Sequence, residues 1–153
     1  MEVSECRSII SLMPLIESWQ NECNARMFDI NMEINEILRD VLRMIESNES
    51  IIFVLSDKEK VVGVMGLVIF KSPLGSQRIA NEHYWYVLPE HRGRASLKLL
   101  AAGKAWAKEK RCSHIIANAS MLASDLHDSV CHMYEEIGMK KFETTYIMAL
   151  KED

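Results

Sequence analysis

Between Ser50 and Leu88 the chain carries three long apolar runs with little sequence between them. "SIIFVLS" and "KVVGVMGLVIF" are rich in β-branched residues and read as strands. Only "DKEK", Asp57 to Lys60, lies between them, so they pair as a hairpin. "KSPLGSQ" then leads into a third run, "RIANEHYWYVL", which Pro89 ends. Three such strands joined by short turns dictate an antiparallel meander. The rest of the chain has to cover the faces of that sheet.

The flanking segments switch to a helical period. "PLIESWQNECNARM" starts with Pro14, well placed in a first helical turn, and repeats Leu15, Ile16, Trp19 and Cys23 along one face. "MEINEILRDVLRMIES" carries a stripe of Ile34, Ile37, Leu38, Val41, Leu42 and Ile45, with Asn31 as its cap. Beyond Pro89, "SLKLLAAGKAWAKEK" aligns Leu99, Ala102, Gly103 and Trp106. "SHIIANA" is a short buried strand. Asp125 caps "LHDSVCHMYEEI", where Leu126, Val130, Met133 and Ile137 turn inward and Gly138 ends the helix in a left-handed conformation. "KKFETTYIMAL" alternates and closes the sheet, and "MEVSECR" supplies a short edge strand.

The expected order is β-α-α-β-β-β-α-β-α-β. This is an α/β (α+β mixed) architecture: a twisted mixed sheet with an antiparallel N-terminal meander, parallel C-terminal strands and helices on both faces. At 153 residues, with no repeat or linker, the chain reads as one domain, 1–153. A net charge of -4 excludes a general nucleic-acid-binding surface. No uncharged apolar stretch approaches the ~20 residues that cross a bilayer, so no membrane partner is expected. "MEVSECRSII" lacks the pattern of an export signal, and Cys6, Cys23, Cys112 and Cys131 form no CxxC pair. They read as reduced thiols in a cytoplasmic protein.

One loop stands out chemically. "HRGRAS", His91 to Ser96, joins the third long strand to the next helix. A helix mouth exposes unpaired N–H groups and a dipole that favours anions. Gly93 allows close approach of a ligand, and Arg92 and Arg94 can make charge-assisted bonds to phosphate. A pyrophosphate suits this geometry, although such loops also occur as solvated turns.

Over nearly its whole length, and most strongly from Ile79 to Leu150, the sequence resembles the GNAT family of N-acetyltransferases. Family members carry a pattern like V-x-P-x-x-R-G-x-G-x-G/A between the fourth strand and the third helix. In "VLPEHRGRASL", Val87, Pro89, Arg92 and Gly93 match. Ala95 stands where the family usually has Gly, and Leu97 where it has Gly or Ala. "MYEEIGMKKF" resembles the family's Y-E-x-x-G-F segment through Tyr134, Glu135 and Gly138, with Met139 in place of the aromatic.

The resemblance implies acetyl-CoA as co-substrate, with no metal, and a primary amine as acceptor: a small molecule, a peptide or a protein. The loop from Arg92 through Gly93, Arg94, Ala95 and Ser96 to Leu97 would hold the pyrophosphate. The backbone of Tyr86, Val87 and Leu88 would hold the pantetheine arm between splayed strands, with an N–H near Val87 facing the carbonyl oxygen. Asn118 would bond the arm from the other side. His127 occupies the position where family members often have Asn. Glu82 aligns with the family's base glutamate, and alternation puts it on one face with Tyr84 and Tyr86. Burial among those aromatics would raise its pKa. Tyr134 aligns with the acid that protonates the leaving thiolate. No covalent nucleophile stands out, so direct transfer in a ternary complex is expected.

Other groupings read blandly. His127 and Cys131 lie one turn apart, but no further ligand joins them into a zinc site. Lys104, Lys108 and Arg111 form a solvated stripe. Acidic residues on the early helices, among them Glu17, Glu22, Asp29, Glu33 and Glu36, hint at a cationic acceptor. Exposed sheet edges suit a homodimer. The alternative from another class is a fold relative that binds coenzyme or protein without catalysis, which the altered glycines favour.

Overall fold

The structure, a computed structural model, describes residues 1–151; the last two residues of the expected 1–153 domain lie outside it. The chain divides into two compact units. One holds Met1–Trp19 and Glu33–Ala117, the other Gln20–Met32 and the chain from Asn118 onward.

The first unit is built on a five-stranded sheet in the order β1-β2-β3-β4-β5. These are β1 (Glu2–Glu5), β2 (Ser50–Asp57), β3 (Lys60–Lys71), β4 (Arg78–Val87) and β5 (His114–Ile116). The first four are antiparallel neighbours and β5 runs parallel to β4. The mixed sheet therefore follows the expectation from the turns. Leu55, Met65 and Leu67 are fully buried on the central strands, which have cover on both sides.

Helices cover both faces. Helix α1 (Met13–Glu22) begins in this unit and buries Leu15 and Ile16. Helix α2 (Ile34–Glu46) buries Val41 and Met44. Its stripe is rotated from the expected one: Leu42 is exposed, and Met44, left out of the sequence stripe, reaches the core. The cap also differs, because Glu33 rather than Asn31 occupies that place, without a side-chain bond. Helix α3 (Arg94–Glu109) buries Leu99, Gly103 and Trp106 on the opposite face.

Two glycines mark how closely these layers approach. A Cβ on Gly103 of α3 would lie 2.8 Å from Leu67 Cδ1 and 3.3 Å from Met65 Sδ. On the other face, a Cβ on Gly66 would meet Ile52 Cδ1 at 2.8 Å, Met44 Cε at 3.1 Å and Tyr84 Cδ2 at 3.2 Å. Gly66 thus lets α2 and β4 close over β3.

In the second unit, a 3-10 turn (Ala25–Phe28) precedes α4 (His127–Glu136) in the chain. Asn24 ties its two segments: its N–H donates to the Leu122 carbonyl at 2.8 Å, and its amide to Asp125 Oδ1 at 2.8 Å. Asp125 is therefore not the cap of α4, a place taken by Leu126. Gly138 does end the helix with φ 90°. Its N–H bonds the Glu135 carbonyl at 3.1 Å and the Met139 N–H bonds the Tyr134 carbonyl at 2.9 Å, a Schellman ending. The inward stripe expected on α4 is not buried; Leu126 and Ile137 are exposed. "KKFETTYIMAL" is not a strand either. Residues 141–150 are exposed and lie outside the ladder, so the sheet has five strands among the described residues rather than six. Alternation alone cannot hold a strand whose backbone groups have no neighbouring strand to pair with.

Replacing Gly66 by Val should overpack this junction. The expected loss is about 1–3 kcal/mol. A urea midpoint that falls at unchanged slope would report it.

Candidate functional site

Strand β4 is irregular where it matters. Opposite β3 its register runs Val64↔Tyr86, Met65↔Trp85, Gly66↔Tyr84 and then Leu67↔Glu82. His83 is the extra residue of a β-bulge. The bulge puts neighbouring side chains on one side: His83 Nε2 lies 2.8 Å from Asp40 Oδ2, and Tyr84 OH donates to the same oxygen. It also flips the alternation beyond it. Residues directly opposite share a face, so Glu82 goes with Leu67 and Met65, towards α3, while Tyr84 and Tyr86 go with Gly66 and Val64. The expectation that Glu82 sits between those tyrosines is corrected: one inserted residue separates them.

Beside β4 the sheet opens. The parallel ladder to β5 covers only Ile79↔His114, Ala80↔Ile115 and Asn81↔Ile116. The ladder between the two strands ends at Asn81 among the described residues. On the other side the ladder to β3 continues, and the Leu88 N–H donates to the Val62 carbonyl at 2.9 Å. Leu88 and Tyr86 therefore aim their backbone groups at β3, and Val87 aims its own into the opening. Of the three backbone positions singled out by sequence, only Val87 presents its N–H there.

The loop that follows is turned by Pro89–His91, a 3-10 turn whose proline fixes its start. Arg92 then folds back: its Nε donates to the Val87 carbonyl at 2.9 Å, and its guanidinium stands 5.6 Å from the centre of the Tyr86 ring. Gly93 precedes α3 with φ 96° and ψ -135°, a conformation that favours glycine, and a Cβ there would meet open space. The N–H groups of Gly93, Arg94 and Ala95 have no backbone acceptor among the described residues. The Ser96 N–H turns back to the Gly93 carbonyl at 3.0 Å and its side chain is buried, so Ser96 drops out of the donor set. Ala95 and Leu97 are half-buried, and Arg94 is exposed at the helix mouth. Three such N–H groups at a helix mouth and a neighbouring cation suit a pyrophosphate.

An aromatic wall lines the α1 side of β4. Trp19 packs edge-on to Tyr84 at 6.2 Å and tilted over Tyr86 at 6.1 Å. Ser18 Oγ lies 3.1 Å from Tyr86 OH. The Trp19 indole N–H is buried and has no hydrogen-bond partner among the described residues. Below it, Asp40 accepts from Tyr84 and pairs with Arg43 at 3.2 Å. Burial pushes the Asp40 carboxyl up, but the bonds from Tyr84, His83 and Arg43 outweigh it and hold the group below its usual range. Burial and then the bond to Asp40 push the Tyr84 phenol up. Sequence reading missed Trp19 and Asp40 as site neighbours. Helical spacing gave Trp19 a core face, and nothing local distinguishes Asp40 from other surface acids.

In the second unit, Tyr134 OH donates to the Asn118 carbonyl at 3.0 Å. His127 begins α4, with Nδ1 3.8 Å from Cys131 Sγ and 3.8 Å from Asp128 Oδ1. Burial raises the Cys6 and Cys112 thiols, which disfavours a thiolate at either.

The profile of the acetyltransferase (GNAT) family matches residues 13–139. No curated protein matched the sequence. Among solved structures, a transcriptional regulator from Bacillus halodurans C-125 superposes with a TM-score of 0.79 at 15% identity, over 97% of this chain and 99% of its own. A ribosomal-protein-alanine N-acetyltransferase from Brucella melitensis biovar Abortus 2308 gives 0.72 at 17% identity, over 98% and 100%. AAC(6')-Iy, solved with a bisubstrate analogue of CoA and monomethyl-acetylneamine, gives 0.69 at 14% identity, over 98% and 97%. At these identities the likeness is one of fold. The profile match spans most of the chain, and the chain belongs to the acetyltransferase (GNAT) family.

The Asp40 network makes stability depend on pH with a definite sign. Its carboxyl is depressed in the folded state. The contribution is present above the unfolded value, about pH 3.9, and disappears as pH falls through the lower folded value. Asp40→Asn should be less stable than the parent at neutral pH. The gap should narrow in acid, as read by urea unfolding from neutral pH down to the carboxylate range.

Proposed function

We propose that this family member transfers an acetyl group from acetyl-CoA to a primary amine by direct attack while both are bound. The observation that carries the reading is the opening beside β4. Its ladder to β5 stops at Asn81, and Val87 turns its amide into the gap just ahead of the glycine-led mouth of α3. In this reading the N–H groups of Gly93, Arg94 and Ala95 take the pyrophosphate, with the Arg94 cation beside them. Arg92 acts as a brace, holding the Val87 carbonyl so that the adjacent amide keeps its direction.

Attack requires the neutral amine, which is scarce near pH 7 because a lysine-type amine has a pKa of ~10.4. Glu82, the first β4 residue past the end of the β5 ladder, is the proposed base, acting directly or through one water. The Val87 N–H donates to the acetyl oxygen as it gains charge. Tyr134 is the proposed acid for the leaving thiolate, whose thiol pKa is ~8.5, exchanging its bond to the Asn118 carbonyl for one to sulfur. Asn118 and His127 are proposed to border the arm. Trp19 and Tyr84, both half-buried, offer a π-face to a cationic acceptor, and Glu82, on the other side of the strand, would reach the amine through a water in the gap. A polyamine of the aminoglycoside type, such as the acetylneamine analogue seen with AAC(6')-Iy, fits that chemistry. The proposed setting is the cytoplasm. No helix among the described residues is long and apolar enough to cross a membrane.

A second reading, coenzyme binding without catalysis, draws on the engaged Ser96 amide and on Ala95 and Leu97. Thiol release over a panel of amines separates the two. The transferase reading expects release that needs both substrates, falls about 10²–10⁴-fold in Glu82→Gln, and falls in Tyr134→Phe. Gly93→Ala should chiefly raise KM for acetyl-CoA, since a Cβ there strains the loop. If acetyl-CoA raises Tm and no amine gives turnover, the binding reading replaces it; ligand at ~100 times Kd stabilises by about 2.7 kcal/mol.

A further inference from the structure

We propose that a cavity on the α2 face of the sheet, outside the gap beside Val87, binds a small neutral aromatic amide: a flat ring with a carbonyl next to an N–H. The cavity holds about 400 Å³, within the range of small-molecule sites. Its walls come from the second half of α2 and from strands β3 and β4. Its floor is closed sheet, because Asn81 still pairs with Ile116 of β5 before that ladder ends. The proposal therefore does not rest on acetyl transfer.

Val68 and Phe70 stand two positions apart on β3 and both line the cavity. Gly66, two residues earlier on the same face, is closed over by Met44 of α2. The series then runs out from under the helix: Val68 is half-buried and Phe70 is 38% exposed. This leaves an apolar surface for a ring. Asn81 lies directly opposite Val68 across the β3–β4 ladder, so it shares that face and lines the same cavity. It is half-buried, and its side-chain amide has no hydrogen-bond partner among the described residues. An amide held there with its donor and acceptor idle costs free energy that a matching ligand edge would recover.

The charged groups at the rim select against either sign of ligand. Asp40 accepts from Tyr84, from His83 at 2.8 Å and from Arg43 at 3.2 Å, so carboxylate and guanidinium offset each other. An anion would meet that carboxylate and the carbonyl end of α2, which stops at Ser47 on the cavity wall. A cation would meet the Arg43 guanidinium. A neutral ring avoids both. Asn81 offers N–H and C=O side by side, so one ring amide completes both of its bonds, as Asn does on the edge of adenine. Aromatic carboxamides and the pyrimidinone edge of a nucleobase share this chemistry.

The test follows the isotope-labelled full chain by NMR as benzamide or uracil is added at millimolar concentration. The Asn81 side-chain signals and the backbone amides of Val68 and Phe70 should shift, while those of Val87 and Gly93 stay in place. Benzoate and benzylamine have nearly the same shape but carry charge, and should bind at least about tenfold more weakly than benzamide. Asn81→Leu keeps the volume and removes the amide; it should weaken benzamide about tenfold in a chain still folded by circular dichroism. Phe70→Ala, at an exposed position that leaves the core intact, should weaken it as well. Saturating acetyl-CoA should not displace benzamide. A response to benzamide alone assigns the site to aromatic carboxamides, and a response to uracil alone assigns it to nucleobases. Four results would overturn the proposal: Asn81 signals unmoved by both probes, a charged analogue binding as tightly as benzamide, full affinity in folded Asn81→Leu or Phe70→Ala, or displacement by acetyl-CoA, which would move the site into the gap.

Discussion

The site depends on the unequal pairing of β4. On one side the strand pairs with β3 from Arg78 to Val87, broken only by the bulge at His83; on the other it meets β5 over three residues among the described ones. The long ladder holds the strand rigid and the short one lets the sheet part. A backbone amide left over inside a sheet is normally costly. At Val87 that cost is tolerable because water, or a ligand, can reach the gap. In the proposed transfer the strand's rigidity would make this donor useful, since a donor fixed in advance needs no reorganisation when charge develops.

Arg92 shows how the loop is coupled to the strand. A sequence reading gives both arginines to the phosphate, but one ties the strand and the other faces outward. The tie crosses from the loop back to the residue whose amide opens into the gap. A ligand on the loop and a ligand in the gap would therefore feel the same side chain. Gly93 follows directly, with a positive φ of 96° that turns the chain from the Arg92 tie into the first turn of α3.

Much of this was legible in the residues. The meander followed from short turns between β-branched runs, and α3 from the spacing of Leu99, Gly103 and Trp106. The mouth of α3 followed from Pro89 and Gly93. What could not be read has a common cause. The bulge at His83 leaves no mark in composition, since pairing decides which strand takes an extra residue; hence Glu82 fell on the unexpected face. Asp40 becomes special only through Tyr84 and His83, more than forty residues away in the chain. The C-terminal run was read as a strand from its own alternation, whereas a strand exists only with a neighbour. Local patterns speak for local structure, and each of these misses turned on a long-range partner.

The irregularity of β4 has a cost for any chain under selection. Removing His83 would smooth the ladder and straighten the strand, the kind of change that improves a sheet. It would also dissolve the paired grip on Asp40 and relax the bend beside the gap. Variants drifting toward a firmer sheet at this place would drift away from its aperture. The strand's flaw therefore caps how robust this part of the protein can become while it stays useful.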